Sequence, residues 1–277
     1  MTINCRGKLI DLSTPKVMGI LNLTPDSFYD GKRYDQENRV LQQVDRMLSE
    51  GATFIDIGAY SSRPGADFVS EDEEKKRLLP LLEEIVRSFP KALISVDTFR
   101  ASIAQEAVIR GATFINDISG GHRDINMLPT IKALRVPYIM MHMRGDSQIM
   151  QQLTQYDHLI FEVVDYFVQQ LAKARALGIN DVIIDPGFGF AKTTTQNYLL
   201  LSKLDQLQLL EQPMLVGLSR KSMIYKTLDS IPAQALNGTT ALHMLALQKG
   251  ATILRVHDVK EAVECIQLVN SLTADST

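Results

Sequence analysis

The chain has 277 residues, and its 29 Lys and Arg against 32 Asp and Glu give a formal charge of −3 with the five His neutral. That balance excludes a broad electrostatic grip on nucleic acid, while a local basic pocket stays open. Two cysteines, Cys5 and Cys265, with no C-x-x-C spacing exclude a disulfide framework and a cysteine-built zinc site, and suit a reducing compartment. The first residues carry no apolar signal core, and no apolar run approaches the roughly 20 residues that span a bilayer. A cytoplasmic protein without a membrane anchor is the expectation.

One phrase recurs along the chain. Gly51-Ala-Thr-Phe-Ile-Asp-Ile-Gly returns as Gly111-Ala-Thr-Phe-Ile-Asn-Asp-Ile and as Gly250-Ala-Thr-Ile-Leu-Arg-Val-His, with a looser copy at Gly178-Ile-Asn-Asp-Val-Ile-Ile-Asp. A glycine that ends a helix and then a buried, β-branched run explains each copy. The spacing leaves room for two β/α units between copies and is too long for a solenoid repeat. Filling the gaps predicts eight strands, at 16–22, 53–58, 92–97, 113–118, 137–142, 181–186, 214–219 and 252–257, with helices between them. Among the helices, 157–177 shows Leu159, Ile160, Val163, Val164, Phe167, Val168 and Leu171 on one face and stops at Gly178. Ser70 with Glu73 reads as a capping box, and the charged stretch Glu71–Arg77 as a solvated helix start. Eight alternating units in about 250 residues predict an α/β fold, a (β/α)8 TIM barrel with a short N-terminal extension. The chain reads as one domain over 1–277 with a barrel core at about 16–272, and residues 1–15 as a hairpin across the barrel floor. A doubly wound open sheet is the alternative architecture.

Chemistry in such a barrel belongs at the carboxyl ends of the strands. The predicted strands end in Asn22, Asp56, Asp97, Asn116 with Asp117, His142, Asp185, Ser219, and Arg255 with His257. One buried Asp at a strand end is ordinarily a structural acceptor. So many polar ends together are costly to bury without a ligand. Asp97, Asn116 and Asp185 match a heterocycle with adjacent N–H donors, such as an aminopyrimidinone edge, because a carboxylate accepts two parallel N–H bonds. Ser219-Arg220-Lys221 and Arg255-Val256-His257 fall where this fold binds phosphate. The loops after the first two strands, from Thr24 and from Ser61, carry charge and aromatics as active-site lids do. His142 faces either the mouth or the core. His122, His158 and His243 read as surface or helix residues, and the Met residues as core filler. No P-loop, dinucleotide fingerprint or H-E-x-x-H is present.

Read in order, these strand ends resemble dihydropteroate synthases. The segments are Met18-Gly-Ile-Leu-Asn-Leu-Thr-Pro-Asp-Ser-Phe, Asp56-Ile-Gly, Ser61-Ser-Arg-Pro-Gly, Ser95-Val-Asp-Thr, Asn116-Asp-Ile-Ser-Gly, Met141-His-Met, Asp185-Pro-Gly-Phe-Gly-Phe, Gly217-Leu-Ser-Arg-Lys and Arg255-Val-His-Asp. Two departures stand out. Ser62 replaces the family's Thr, which keeps the hydroxyl, and Ala191 replaces a Gly at what reads as a peripheral position.

The resemblance implies a transferase that joins a pterin hydroxymethyl diphosphate to p-aminobenzoate and releases diphosphate. It implies that Asp97, Asn116, Asp185, Lys221 and Arg255 hold the pterin, and that Asn22, Ser62, Arg255 and His257 surround the diphosphate, with Asn22 on a Mg2+. Phe28, Arg63, Pro64, Phe190, Ser219 and Lys221 would shape the p-aminobenzoate pocket, where sulfonamides would compete. Asp35, Lys221, Arg255 and His257 would carry the chemistry, through a pterin cation that Asp35 stabilises or whose amine adduct it deprotonates. A homodimer is implied as well. A non-catalytic pterin-binding homologue and a pterin-dependent methyltransferase barrel are the alternatives. The first is weakened by the presence of Asn22, Asp35, Arg63, Lys221, Arg255 and His257, and the second by Ser61-Ser-Arg-Pro-Gly together with Ser219-Arg220-Lys221.

Overall fold

Runs of alternating β-branched and apolar residues become strands because each residue on one face packs inward while its neighbour packs outward. The computed structural model describes residues 1–23, 33–58, 69–145 and 149–273. Two short antiparallel strands, β1 (Thr2–Cys5) and β2 (Lys8–Asp11), precede the barrel. The barrel strands are β3 (Lys16–Asn22), β4 (Phe54–Gly58), β5 (Leu93–Asp97), β6 (Phe114–Asp117), β7 (Tyr138–Met141), β8 (Val182–Asp185), β9 (Leu215–Val216) and β10 (Ile253–Val256). All pair in parallel in the order β8-β7-β6-β5-β4-β3-β10-β9. The ring closes where Ile184 bridges Met214 and donates its N–H to the Pro213 carbonyl at 2.9 Å. The open-sheet alternative is thereby excluded, and each strand lies within a few residues of its predicted place.

The helices are α1 (Arg33–Ser49), α2 (Glu71–Ser88), α3 (Ala101–Ile109), α4 (Met127–Leu134), α5 (Leu159–Ala176), α6 (Thr194–Ser202), α7 (Ser222–Thr227), α8 (Leu236–Gln248) and α9 (Val259–Thr273). The glycines of the recurring phrase, Gly51, Gly111, Gly178 and Gly250, all have positive φ and turn the chain from helix into strand. At Gly111 a Cβ would also lie 2.8 Å from Val86.

Strand alternation divides the core in two. Outward residues such as Ile55, Ile57, Val96, Ile115, Met140 and Ile184 pack against the helices. Inward residues Met18, Phe54, Leu93, Phe114, Ile139, Ile183, Leu215 and Ile253 form one layer, one from each barrel strand. Ile3, Cys5, Ile10 and Leu12 of the N-terminal segment join that layer, so the hairpin plugs the floor as expected.

Several local expectations change. Ser70 caps α2 by accepting the Glu73 N–H at 3.3 Å, but Glu73 turns to Arg77 instead of completing the box. A complete capping box occurs at Thr193 and Gln196. The start of α2 is not wholly solvated. Glu74 is buried, bonded to Thr98 at 2.8 Å and to Arg100, whose guanidinium also reaches the Val69 carbonyl at 2.6 Å. Val168 leaves the predicted apolar face of α5 and is exposed. His243 lies on α8 as read, but is buried there, and burial pushes it down to about 4.

Ala191 is not peripheral. It is fully buried, its carbonyl accepts the Tyr156 hydroxyl at 3.0 Å, and its φ is +49°. That conformation costs a non-glycine residue roughly 1–2 kcal/mol. A buried methyl returns about 0.8 kcal/mol and a stiffer unfolded chain about 0.5–1. The contributions nearly cancel, so Ala and Gly are interchangeable here. Ala191→Gly is expected to leave the urea midpoint nearly unchanged. Ala191→Val, β-branched at positive φ and overpacked, is expected to lose about 2–4 kcal/mol on the same measurement. Equal midpoints for the two variants would refute this account.

Candidate active site

The floor layer dictates where the polar residues go. A residue two or four places beyond a floor residue shares its face and points into the barrel nearer the mouth. Phe54 leads to Asp56, Leu93 to Ser95 and Asp97, Phe114 to Asn116, Ile183 to Asp185, Leu215 to Ser219, and Ile253 to Arg255 and His257. Asp56, Ser95, Asp97, Asn116, Asp185 and Ser219 are all buried, while Arg255 and His257 are partly exposed. Asp117 has the opposite parity and does not join them. It accepts from the Ser119 and Gly121 backbone and from the Ser119 and Tyr138 hydroxyls, which shapes the turn after β6.

Arg255 organises one side of the mouth. Its Nε donates to Asp56 Oδ2 at 2.6 Å and its Nη2 to Asp97 Oδ2 at 3.2 Å. The same Asp56 oxygen accepts the Asn116 amide at 3.0 Å. Asp56 thus joins three strands, although the sequence reading gave it no role beyond a polar strand end. Its Oδ1 is buried with no hydrogen-bond partner among the described residues. Burial first, and then the Asp56 charge, push the Asp97 carboxyl well above the usual carboxylate range, outweighing Arg255. Burial also raises Asp185, against the opposing pull of Lys221. N–H donors arriving at these two carboxyls would favour their ionised forms and oppose the effect of burial.

Lys221, at the start of α7, spans to the loop after β8. Its ammonium donates to the Phe188 carbonyl and sits 4.7 Å from the Phe190 ring centroid. Burial pulls it down to about 8, with Asp185 opposing. Gly189 leaves room for its stem, since a Cβ there would lie 3.2 Å from Lys221 Cδ. Behind this loop sits Lys192, a residue the sequence reading passed over. It is buried, with Nζ at 3.0 Å from His142 Nδ1, and it donates to the Gly187 and Phe190 carbonyls at 3.0 and 3.2 Å. His142 is therefore a core histidine that helps to brace the loop carrying Phe188 and Phe190. Gly187 is required there, because a Cβ would fall 2.1 Å from the His142 carbonyl oxygen.

On the neighbouring strands, Ser219 Oγ lies 3.0 Å from His257 Nδ1 and accepts the His257 backbone N–H at 3.1 Å. Arg220 turns aside into a two-point ion pair with Asp258, at 2.8 and 2.6 Å, and serves the loop's shape. Asn22 is exposed at the end of β3. Asp35 falls in the first turn of α1, with its side chain outside the described atoms. Phe28, Ser62, Arg63 and Pro64 lie outside the described residues.

The arrangement is a polar socket of buried carboxylates and an amide, rimmed on one side by Arg255, His257 and Lys221. The pterin binding enzyme family matches residues 18–257. Escherichia coli dihydropteroate synthase is 41% identical over 273 residues, covering 98% of this chain and 96% of its own length. The Bacillus subtilis dihydropteroate synthase is 40% identical over 258 residues, 92% of this chain and 88% of its own. Yersinia pestis dihydropteroate synthase, solved as a sulfonamide drug complex, superposes with a TM-score of 0.92 at 42% identity, covering 99% of this chain and 100% of that one. The Xanthomonas albilineans enzyme, solved with 4-aminobenzoic acid, gives 0.90 at 38% identity over 99% and 98% of the two chains. With its socket at the carboxyl ends of a closed barrel and likeness over nearly its whole length, the chain belongs to the pterin-binding enzymes, as a transferase of the dihydropteroate synthase family.

Proposed function

We propose that this chain condenses 6-hydroxymethyl-7,8-dihydropterin diphosphate with p-aminobenzoate, giving 7,8-dihydropteroate and diphosphate. The observation that carries the reading is the buried set Asp97, Asn116 and Asp185 facing Arg255 across one mouth. Those groups fit the N–H-rich edge of a pterin, and the Arg255 plane suits its ring face while its charge serves the diphosphate.

The chemistry follows from charge. The bond from the exocyclic carbon to the diphosphate oxygen breaks first, and its electron pair leaves with the diphosphate. The pterin ring nitrogens feed electrons to the carbon and stabilise the cation. Arg255 and His257 stabilise the departing anion. The neutral arylamine nitrogen then bonds to the carbon and loses a proton. Asp35 would steady the cation or accept that proton. Lys221, Phe190, Phe28, Arg63 and Pro64 would frame the second substrate, and Ser62 the diphosphate. Likeness to an enzyme solved with 4-aminobenzoic acid supports p-aminobenzoate as that substrate.

A Mg2+ fits the donors in hand. Asn22 offers one exposed amide oxygen, and no group of three His, Cys, Asp or Glu that could hold a metal occurs among the described residues. One protein oxygen plus substrate phosphates is how Mg2+ is commonly held. When bound through Asn22 it would supply charge neutralisation to the diphosphate. We also propose a cytoplasmic homodimer. Exposed Leu268 and Leu272 on α9 support a partner surface, and no helix of the described residues is long and apolar enough to cross a membrane.

The test is diphosphate release by purified protein with Mg2+, run with and without p-aminobenzoate. Release that needs both substrates is expected. Absence of condensation would sink the proposal, and methyl transfer to a corrinoid would replace it.

A further inference from the structure

We infer that Ser219 is a positioning residue for His257, holding the ring so that its far nitrogen, Nε2, always carries a hydrogen, and is not a wall of the p-aminobenzoate pocket. The inference rests on the diphosphate role proposed for His257. Ser219 follows β9 and His257 follows β10, and these strands are neighbours in the sheet. The Ser219 side chain is buried. Its Oγ accepts the His257 backbone N–H at 3.1 Å and stands 3.0 Å from Nδ1 of the same residue.

A hydroxyl has one hydrogen and two lone pairs. The backbone N–H occupies one lone pair, which leaves the hydrogen and the second lone pair for Nδ1. If the imidazole is neutral, the buried hydroxyl hydrogen finds no other acceptor among the described residues and goes to Nδ1, which puts the ring proton on Nε2; the opposite tautomer would leave that hydrogen unbonded. If the imidazole is charged, Nδ1–H donates to the second lone pair and Nε2 again bears a hydrogen. In either state the ring offers a donor at Nε2. A donor there suits an anion gathering charge, and it lies on the strand face that also carries Arg255. The backbone contact adds a second constraint, tying the hydroxyl to the chain at His257 and so holding the ring at a set height on β10. A serine whose hydroxyl bonds are spent on His257 has little left for a carboxylate in a neighbouring pocket.

The experiment compares the full chain with Ser219→Ala and Ser219→Thr. Nitrogen-15 NMR of histidine-labelled protein without substrates reads the tautomer, and His257→Gln assigns the signal. Wild type is expected to show His257 as the Nε2–H form when neutral, and Ser219→Ala to show a mixture. In steady-state kinetics, Ser219→Ala should lower kcat about 10–100-fold and weaken product inhibition by diphosphate similarly, the usual scale for an outer partner that orients a site histidine. The KM for p-aminobenzoate should stay within about twofold, and Ser219→Thr, which keeps the hydroxyl, should recover most of the rate. A His257 proton on Nδ1 in wild type would overturn the inference. So would a Ser219→Ala protein with intact kcat and a raised p-aminobenzoate KM. If wild type releases no diphosphate, the functional reading fails, while the NMR comparison still decides what Ser219 does to His257.

Discussion

Asp185→Asn is expected to weaken binding of the pterin diphosphate by about 100-fold, measured by calorimetry on the full chain. Asp185 ends β8, is 8% exposed, and already has Oδ1 anchored by the Gly187 N–H at 2.8 Å. Its ionised form can accept charge-assisted bonds worth roughly 1.5–3 kcal/mol each. An amide of the same shape presents an N–H to a ligand edge that is itself made of N–H groups, so one attraction becomes a clash of donors. About 100-fold corresponds to ~2.7 kcal/mol, close to the loss of one such bond plus an unpaired donor.

The pH dependence has a definite sign. Burial raises the Asp97 and Asp185 carboxyls in the free chain, whereas the proposed ligand binds their ionised forms. Binding must then expel protons, so affinity rises with pH from the acid side and levels off once both groups are ionised. Calorimetry in buffers of different ionisation heat should show proton release on binding, less of it in Asp185→Asn. The same raised groups make the ligand-free fold lose stability as pH climbs through their titration, because the folded chain holds protons that the unfolded chain has already released. Affinity independent of pH between about 5 and 9 would contradict the assigned contacts.

Asp56→Ala is the second large effect, expected to lower kcat/KM for the pterin diphosphate by 100-fold or more. The side chain is fully buried, and one of its oxygens holds both Arg255 and Asn116. Removing it leaves the Asn116 amide without that acceptor and leaves Arg255 to Asp97 alone. Breaking a fully buried ion pair costs about 3–5 kcal/mol. Arg255 keeps 21% of its side chain exposed, so a smaller loss in unfolding free energy is expected. Asp56→Asn retains an acceptor of the same shape and should recover at least tenfold of the lost rate. It also removes the second-largest cause of the high Asp97 pKa. The rise of pterin affinity should therefore move to lower pH in Asp56→Asn, which a purely structural role for Asp56 would not produce. An Asp56→Ala protein with near wild-type kcat/KM would show that Asp97 suffices to hold Arg255.

Much of the barrel was legible because a parallel strand buried on both faces leaves a short apolar run, and glycine at positive φ marks where each helix ends, as at Gly51, Gly111, Gly178 and Gly250. Position at a strand end placed Asp97, Asn116, Asp185 and Arg255 at one mouth from the chain alone, and alternation in the folded strands then set Asp117 apart from them. What alternation cannot supply is pairing across the barrel. Arg255 and Asp56 are 199 residues apart and meet only because β10 closes onto β3 and β4. Local pattern also misjudged Glu74, a charge inside a charged run that is buried against Arg100, and Ala191, whose backbone is left-handed without a glycine to announce it. Lys192 shows the same gap, since an unremarkable lysine in a loop becomes a buried brace only when His142 from β7's end arrives beside it. The sequence by itself determined where the strands lie and which kinds of polar groups end them, because these depend on neighbours a few residues away. Closure of the barrel decided which of those groups touch, and therefore which carboxyl holds Arg255 and which hydroxyl turns His257, because contact distances depend on strands that are remote in the chain.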